Sequence, residues 1–360
     1  MKFIDEFRTS QQITTLSESI RKVSRKPATF MEVCGGHTMA IHKYGLLSLL
    51  PGHIRLLSGP GCPVCVSSQS YIDKAIALSG ITNMIITTYG DLIRVPGTFS
   101  SLEKEKGKGK DIRIVYSVME SLAIAGQNPE KEVVFLGIGF ETTAPASAAA
   151  IQEAQVRRIN NFSLFSGHKI MPPVMSALVE DGVQIDGFIA PGHVSAIAGL
   201  EMYRDFPSRY GLGVVVSGFE PADILQSILM LVKQKENGIP LLENEYRRVV
   251  KEKGNRIAMN LLGKVFQPVD DEWRGIGLIT GSGLGLRKEY MCFDAGIKFN
   301  VSFSKSVEPG GCICGEILKG KKSPIDCPLF RKTCNPVNPV GACMVSPEGS
   351  CSAWFNYANL

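Results

Sequence analysis

The chain has 360 residues, and its 39 basic and 34 acidic side chains give a net charge of +5. This charge is too small and too dispersed to indicate nucleic acid as the main partner. The first ten residues carry acidic side chains where a signal peptide needs an apolar stretch, and no segment predicts a membrane span. We therefore expect a cytoplasmic protein, in which ten cysteines favour metal or redox chemistry over a disulfide framework.

Short apolar runs that end in glycine-containing turns recur along the chain, and most are followed by a helical pattern. Nearly continuous apolar strands that alternate with helices predict parallel sheets covered by helices on both faces. The runs form two groups of four, at 28–118 and 132–216. We therefore predict an α/β fold with two lobes around a cleft, each a mainly parallel sheet flanked by helices.

The predicted domains follow from these groups and from the change of composition after residue 240. They are an N-terminal helical segment that packs on the core (1–27), a first lobe (28–125), a second lobe (126–240), and a helical segment with a C-terminal iron–sulfur domain (241–360). Within the last of these, the pattern at 244–267 predicts a helix. The tail beyond it is rich in Cys, Pro and Gly, and we expect it to be loop-rich.

The turns of the predicted sheets carry polar residues. In open parallel sheets, ligands bind beyond the carboxyl ends of the strands, which is where these glycine turns lie. We therefore expect one cleft to be lined by Cys34, Cys62, Cys65, Glu141, His168 and His193.

The first turn has the sequence CGGHT, starting at Cys34. Gly35 and Gly36 remove side-chain bulk beside the sulfur, so we expect a ligand or partner to approach Cys34 closely. Cys34 and His37 are compatible with a metal site, with a catalytic Cys–His pair, or with a buried cysteine beside a turn histidine.

The second turn, GPGCPVC at 59–65, contains a C-x-x-C pair. This spacing brings the two sulfurs close together, and a helix N-terminus lowers the pKa of a thiol. We favour a redox dithiol formed by Cys62 and Cys65, and half of a metal site is the alternative.

The last fifty residues hold six cysteines and little periodicity. Such a composition does not easily build an apolar core and usually needs a metal. Thiolates suit iron–sulfur clusters or zinc, and the absence of closely spaced pairs of the zinc type favours a cluster. The candidate ligands are Cys314, Cys327, Cys334 and Cys351, with Cys312 and Cys343 as spares.

Together, the motifs CGGHT, GPGCPVC, GFETT, PGHVS and the cysteine-rich tail resemble the HypD family of hydrogenase maturation factors, from about residue 5 to the C-terminus. The resemblance implies a cytoplasmic scaffold for [NiFe]-hydrogenase assembly. Such a scaffold holds an iron ion with a small HypC-like partner while two cyanides, from a HypE-like donor, and one carbon monoxide are attached. The Fe(CN)2CO unit then passes to the hydrogenase large subunit.

The resemblance also implies roles for individual residues. Cys34 corresponds to the cysteine proposed to hold the transient iron, and His37 to the essential histidine beside it. Cys62 and Cys65 correspond to the pair proposed to exchange electrons or disulfides. Glu141 and His193, in GFETT and PGHVS, complete the expected catalytic set, and the implied [4Fe–4S] ligands are Cys314, Cys327, Cys334 and Cys351, with Cys312 as a possible alternative to Cys314.

Two other functions are compatible with the same residues. One is an iron–sulfur and dithiol oxidoreductase that acts on a small substrate through Cys62 and Cys65. The other is a zinc-stabilised interaction protein without chemistry of its own.

Overall fold

The computed structural model describes residues 5–301, 303 and 305–358. It has an α/β fold with two parallel sheets flanked by helices, followed by a cysteine-containing C-terminal region. The predicted α/β class and the parallel sheets flanked by helices are therefore confirmed. Residues 1–4 of the predicted N-terminal segment lie outside the described residues, as do 302, 304 and 359–360 of the predicted C-terminal domain. No described helix is long and apolar enough to cross a bilayer.

Eleven strands lie within the described residues, and most of those in the two sheets are short and buried. They are β1 (Ala28–Glu32), β2 (Ile54–Ser58), β3 (Met84–Thr88), β4 (Asp111–Ile114), β5 (Glu132–Gly139), β6 (Phe162–His168), β7 (Gly187–Pro191), β8 (Gly213–Ser217), β9 (Leu242–Asn244), β10 (Phe266–Trp273) and β11 (Gly277–Leu286).

Fifteen α-helices lie within the same residues, and most connect or cover the strands. They are α1 (Ser10–Val23), α2 (Gly35–Lys43), α3 (Pro63–Val66), α4 (Gln69–Leu78), α5 (Leu102–Gly107), α6 (Val118–Gln127), α7 (Ala144–Arg157), α8 (Met171–Glu180), α9 (Gly192–Ala198), α10 (Phe206–Tyr210), α11 (Pro221–Asn237), α12 (Arg256–Val265), α13 (Ala295–Lys298), α14 (Cys314–Leu318) and α15 (Ser350–Tyr357).

The strands pair differently from the predicted lobes. The first sheet has the order β2-β1-β7-β8-β9, the second has β4-β3-β5-β6, and all pairs in both sheets are parallel. The chain therefore leaves the first sheet after β2, builds the second sheet, and returns with β7. The predicted lobes at 28–125 and 126–240 each contribute strands to both sheets. A strand buried on both faces is an unbroken apolar run, and such a run does not show which strand pairs with it.

The carboxyl ends of both sheets face one cleft of about 650 Å³. The segments that follow β1, β2 and β7 line it from the first sheet, and those that follow β3 and β5 line it from the second. β10 and β11 form a separate antiparallel hairpin. The glycine turns after these five strands therefore share one cleft.

The C-terminal region packs on the rest of the protein. Helix α15 lies against α2, and the rings of Trp354 and His42 are 5.0 Å apart. Ile317, Leu318 and Met344 are at most 2% exposed and belong to the main apolar core. The tail therefore does contribute to an apolar core, by joining one that the sheets have already formed.

The helix predicted at 244–267 is shorter in the structure, where α12 begins at Arg256. Gly254 has a positive φ of 56°, and a Cβ atom there would lie 2.2 Å from the carbonyl oxygen of Ile197. The side chain of Asn255 accepts the N–H groups of Ile257 and Ala258 at 3.1 Å and so caps the helix. The residues between β9 and Gly254 therefore do not form the predicted helix, and the cap at Asn255 sets the start of α12.

Candidate functional site

Cys34 connects β1 to α2, and it lines the cleft. It occupies the N-cap position of α2 with an extended backbone, at φ −149° and ψ 123°. Burial and the nearby Glu348 carboxylate raise the pKa of the Cys34 thiol, whereas the N–H groups of Gly36 and His37 act in the opposite direction. The net effect keeps the thiol protonated at neutral pH, so a metal ion that binds the sulfur has to displace the proton.

Gly35 and Gly36 make room for two other side chains of the protein. A Cβ atom at Gly35 would lie 2.5 Å from Cβ of Glu348, and one at Gly36 would lie 3.1 Å from the ring of Phe219. The glycines therefore do not provide the open approach that the sequence predicted. A ligand reaches the Cys34 sulfur from the cleft instead.

Glu32, the last residue of β1, supports the Cys34 loop from inside the protein. One carboxylate oxygen accepts the N–H of Cys34 at 3.0 Å, and the other accepts the hydroxyl of Thr38 in α2. Glu32 is 1% exposed, and burial raises its pKa to about 8. A buried side chain thus fixes both the backbone of Cys34 and the first turn of α2.

His37 and His193 both stack on the Phe219 ring. The ring centroid of Phe219 is 4.7 Å from that of His37 and 3.9 Å from that of His193. His193 lines the cleft, and partial burial lowers its pKa. His37 is fully buried, its Nε2 lies 3.0 Å from the carbonyl oxygen of Gly218, and burial lowers its pKa to about 4. His37 is therefore neutral at pH 7 and does not line the cleft.

The C-x-x-C pair lies at the start of α3, with Cys62 as the N-cap and Pro63 as the first helical residue. The two sulfur atoms are 2.6 Å apart, and the N–H of Cys65 lies 3.3 Å from the Cys62 sulfur. Cys62 is 3% exposed and Cys65 is 0% exposed. The dithiol is therefore close enough to oxidise, and it lies behind the surface of the cleft.

Five cysteines of the tail line one small enclosed cavity: Cys312, Cys314, Cys327, Cys334 and Cys351. The sulfur atoms of Cys312 and Cys314 are 3.2 Å apart, and a Cβ atom at Gly341 would lie about as close to both sulfurs, at 2.6 and 2.5 Å. The structure thus brings together all four predicted ligands and the alternative ligand. Among the described residues, no group of three or more His, Cys, Asp or Glu side chains is arranged to hold a single metal ion.

Cys343, which the sequence analysis left as a spare, connects the two groups of thiols. Its thiol contacts Cys314 on one side and Cys65 on the other, and these contacts lower its pKa to about 6 although burial opposes them. Cys343 is completely buried. A line of contacts therefore runs from Cys62 through Cys65 and Cys343 to Cys314 in the tail cavity.

Of the six residues expected to line the cleft, Cys34 and His193 do so, and four lie behind it. Cys62 and Cys65 are described above. His168 is buried, and its Nε2 lies 2.9 Å from the hydroxyl of Ser147. Glu141 is also buried; one oxygen accepts the N–H of Met171 at 3.1 Å, and the other has no hydrogen-bond partner among the described residues.

Sequence reasoning missed Glu348 and Phe219. Glu348 comes from the tail, three residues before Cys351, and only the fold shows that it reaches Gly35. Phe219 follows β8 in the sequence SGFE, which ends a strand in the same way as the other glycine turns. Its position after a strand could therefore have placed Phe219 near the cleft. A phenyl ring, however, does not suggest a catalytic residue or a metal ligand.

Comparisons with known proteins find similar sequences along nearly the whole chain. The model of the HypD family, described as the hydrogenase formation hypA family, matches residues 11–358. The chain is 45% identical to the hydrogenase maturation factor HypD2 of Bradyrhizobium diazoefficiens, with 100% of this chain and 98% of the relative covered. It is 43% identical to the hydrogenase maturation factors HypD of Escherichia coli and of Rhodobacter capsulatus, each over 99% of this chain and 98% of the relative.

The buried Glu141 predicts a specific pH dependence of stability. Burial raises its pKa from 4.5 to about 7, so the folded protein binds this proton more tightly than the unfolded chain does. Its contribution to the free energy of unfolding should fall as the pH rises from about 4.5 to 7, by up to about 3 kcal/mol. Glu141→Gln should remove this fall, which urea unfolding between pH 4.5 and 8 measures.

Glu130→Gln, at an exposed position, is the matched control and should keep the pH dependence of the wild type. If wild type and Glu141→Gln differ by the same free energy at every pH, Glu141 does not titrate in this range.

Proposed function

Because the chain belongs to the HypD family of hydrogenase maturation factors, we propose that it is a scaffold on which the Fe(CN)2CO unit of [NiFe]-hydrogenase is assembled. Cys34 holds the iron as cargo, together with a small HypC-like partner protein. A HypE-like protein donates the cyanide ligands, and the finished unit passes to the hydrogenase large subunit. The protein works in the cytoplasm.

The observation that carries this proposal is the position of Cys34. It is the cysteine that lines the cleft among the described residues, beside Glu348 and His193. A thiolate is a soft, electron-rich ligand, which suits iron that also binds cyanide and carbon monoxide. The cleft, at about 650 Å³, leaves space for a small metal unit above the sulfur.

The alternative function, a dithiol oxidoreductase for a small substrate, is less well supported. Such an enzyme needs at least one sulfur of its C-x-x-C pair within reach of the substrate. Cys62 and Cys65 are both almost fully buried. Their position favours exchange of electrons inside the protein.

The five cysteines around the tail cavity have the donor chemistry for a [4Fe–4S] cluster. We propose Cys314, Cys327, Cys334 and Cys351 as its ligands, with Cys312 able to replace Cys314. A [4Fe–4S] cluster would be held by four cysteines that need not converge on a single metal ion. The absence of a single-ion site among the described residues is therefore compatible with a cluster. When bound, the cluster would supply one-electron transfer.

The contacts from Cys62 through Cys65 and Cys343 to Cys314 suggest that Cys62 and Cys65 exchange electrons with the tail. Oxidation of the pair forms one disulfide and releases two protons and two electrons; its reduction takes up the same number from an external donor. Cys343 contacts both Cys65 and Cys314, so we propose that it connects the dithiol to the tail. The dithiol then stores two electrons next to the Cys34 loop.

Replacement of tail cysteines tests the proposed cluster. Cys327→Ala and Cys334→Ala should each abolish the brown colour and lower the iron content of anaerobically purified protein, because each removes a ligand. Protease sensitivity between residues 310 and 360 should increase. Cys292→Ala, at an exposed cysteine, is the control and should keep the iron.

The same measurement on Cys312→Ala and Cys314→Ala decides between the two candidate ligands, because the variant that loses iron identifies the ligand. Colourless wild-type protein with stoichiometric zinc would contradict the cluster.

Cys34→Ala tests the scaffold function. Cys34 is partly exposed and borders the open cleft, so its shortening should leave no closed cavity, and the free energy of unfolding should change by less than about 1 kcal/mol. The variant should keep its tail iron but lack the infrared bands of metal-bound cyanide and carbon monoxide, and it should fail to mature hydrogenase. Thermal unfolding and infrared spectroscopy on one preparation measure both effects.

A buried structural cysteine would instead cost stability through the cavity left behind. If Cys34→Ala is well folded and still carries the infrared bands, Cys34 does not hold the iron.

A further inference from the structure

The loop after β8 carries the sequence SGFE at 217–220, to which the scaffold function assigns no role. We propose that Phe219 in this loop is a positioning residue of the iron site, which rests on the function proposed above. Phe219 fixes the imidazole of His193 in the cleft, and His37 supports Phe219 from behind. His37 therefore acts through Phe219 and is not an iron ligand.

Stacking is the contact that orients His193. The rings of His193 and Phe219 are 3.9 Å apart and only 20° from parallel. Among the hydrogen bonds of the described residues, none involves the His193 ring, which lies in the cleft at the start of α9. Without the Phe219 ring, the side chain of His193 is therefore able to rotate into solvent.

Phe219 also lies beside the proposed iron ligand. The position that a Cβ atom of Gly36 would take is 3.1 Å from two carbon atoms of the Phe219 ring and 3.7 Å from the Cys34 sulfur. Gly36 thus lets the ring come close to Cys34. The ring in turn places His193 on the cleft side of the same loop, so one aromatic side chain sets the distance between the sulfur and the imidazole.

The backbone of the SGFE loop is held on three sides. The N–H of Gly218 donates to the Glu245 carboxylate at 3.0 Å, and its carbonyl oxygen lies 3.0 Å from Nε2 of His37. A Cβ atom at Gly218 would lie 2.1 Å from the carboxylate of Asp223, so only glycine fits. Glu220 and Asp223 form a capping box that starts α11 directly after the loop. Phe219 is therefore presented by a rigid segment.

His37 completes this support without entering the cleft. Its ring is fully buried, lies 4.7 Å from the Phe219 ring, and is 27° from parallel with it. His193 lines the cleft and His37 does not, although both stack on Phe219. The histidine of CGGHT is thus a support for the aromatic ring.

The first test is a ¹³C–¹H spectrum of the protein with labelled histidines. The chain has five histidines, so single replacements assign the signals. The Phe219 ring current should displace the signals of His37 and His193, and Phe219→Leu should abolish both displacements. Phe219→Tyr keeps a ring and should keep them. If Phe219→Leu is unfolded, Phe219→Met takes its place.

The second test is infrared spectroscopy of the full chain isolated anaerobically with its maturation partners. Phe219→Leu should lower the bands of bound cyanide and carbon monoxide by about 10- to 100-fold, as for other residues that orient a metal site. Phe219→Tyr should restore them. The control is Phe165→Leu, which removes a half-buried ring that stacks on Tyr71 at 4.6 Å outside the site and should leave the bands unchanged.

Two results would overturn the proposal: histidine signals that do not respond to Phe219→Leu, or a folded Phe219→Leu protein with bands of wild-type intensity. A wild-type protein that carries no bands would contradict the scaffold function instead. In that case the histidine spectra still decide whether Phe219 holds the two rings.

Discussion

The site depends on a close contact between the loops that follow β1 and β2. Gly61 lies directly against the backbone of Val33 and Cys34, and a Cβ atom at Gly61 would be 2.2 Å from the Cys34 nitrogen. Only glycine is compatible with this approach. The N–H of Gly59 donates to the Glu32 carbonyl oxygen at 2.8 Å, which continues the parallel pairing beyond the strand ends. The register of two strands therefore places the C-x-x-C turn beside Cys34.

Two buried glutamates, at strand ends of the two sheets, lower the stability of the fold near neutral pH. Glu32 and Glu141 are both buried, and burial raises their pKa values to about 8 and about 7. Each of these carboxyl groups is harder to ionise in the folded protein than in the unfolded chain, so each destabilises the fold as the pH rises toward neutrality. Both carboxylate oxygens of Glu32 accept hydrogen bonds, one from the N–H of Cys34 and one from the hydroxyl of Thr38. The Cys34 loop is thus held from inside and open on the cleft side.

The sequence predicted the fold class and the convergence of the glycine turns, because apolar runs and turn residues are local signals. It did not predict that β7 pairs with β1, since buried parallel strands carry no mark of their partners. The tail cysteines were predicted as ligands from residue type, spacing and resemblance, and the structure places them around one cavity. Glu348 was missed, and the contact of the spare Cys343 with Cys65 was not predicted. The contacts of these two residues with Gly35 and Cys65 join segments about 280 to 310 residues apart, and no spacing rule covers such distances.

We propose that the dithiol, Cys343 and the tail cysteines form one path for electrons that ends beside Cys34. The most direct measurement is the rate at which oxidised Cys62 and Cys65 recover their thiols under reduced methyl viologen, followed by alkylation and mass spectrometry. In the wild type, both thiols should return together with two electrons, and Cys343→Ser should be at least about tenfold slower, because the middle contact of the path is lost. Cys292→Ser should match the wild type. Equal rates in wild type and Cys343→Ser would contradict the path through Cys343. The same holds if Cys62 and Cys65 never form a disulfide.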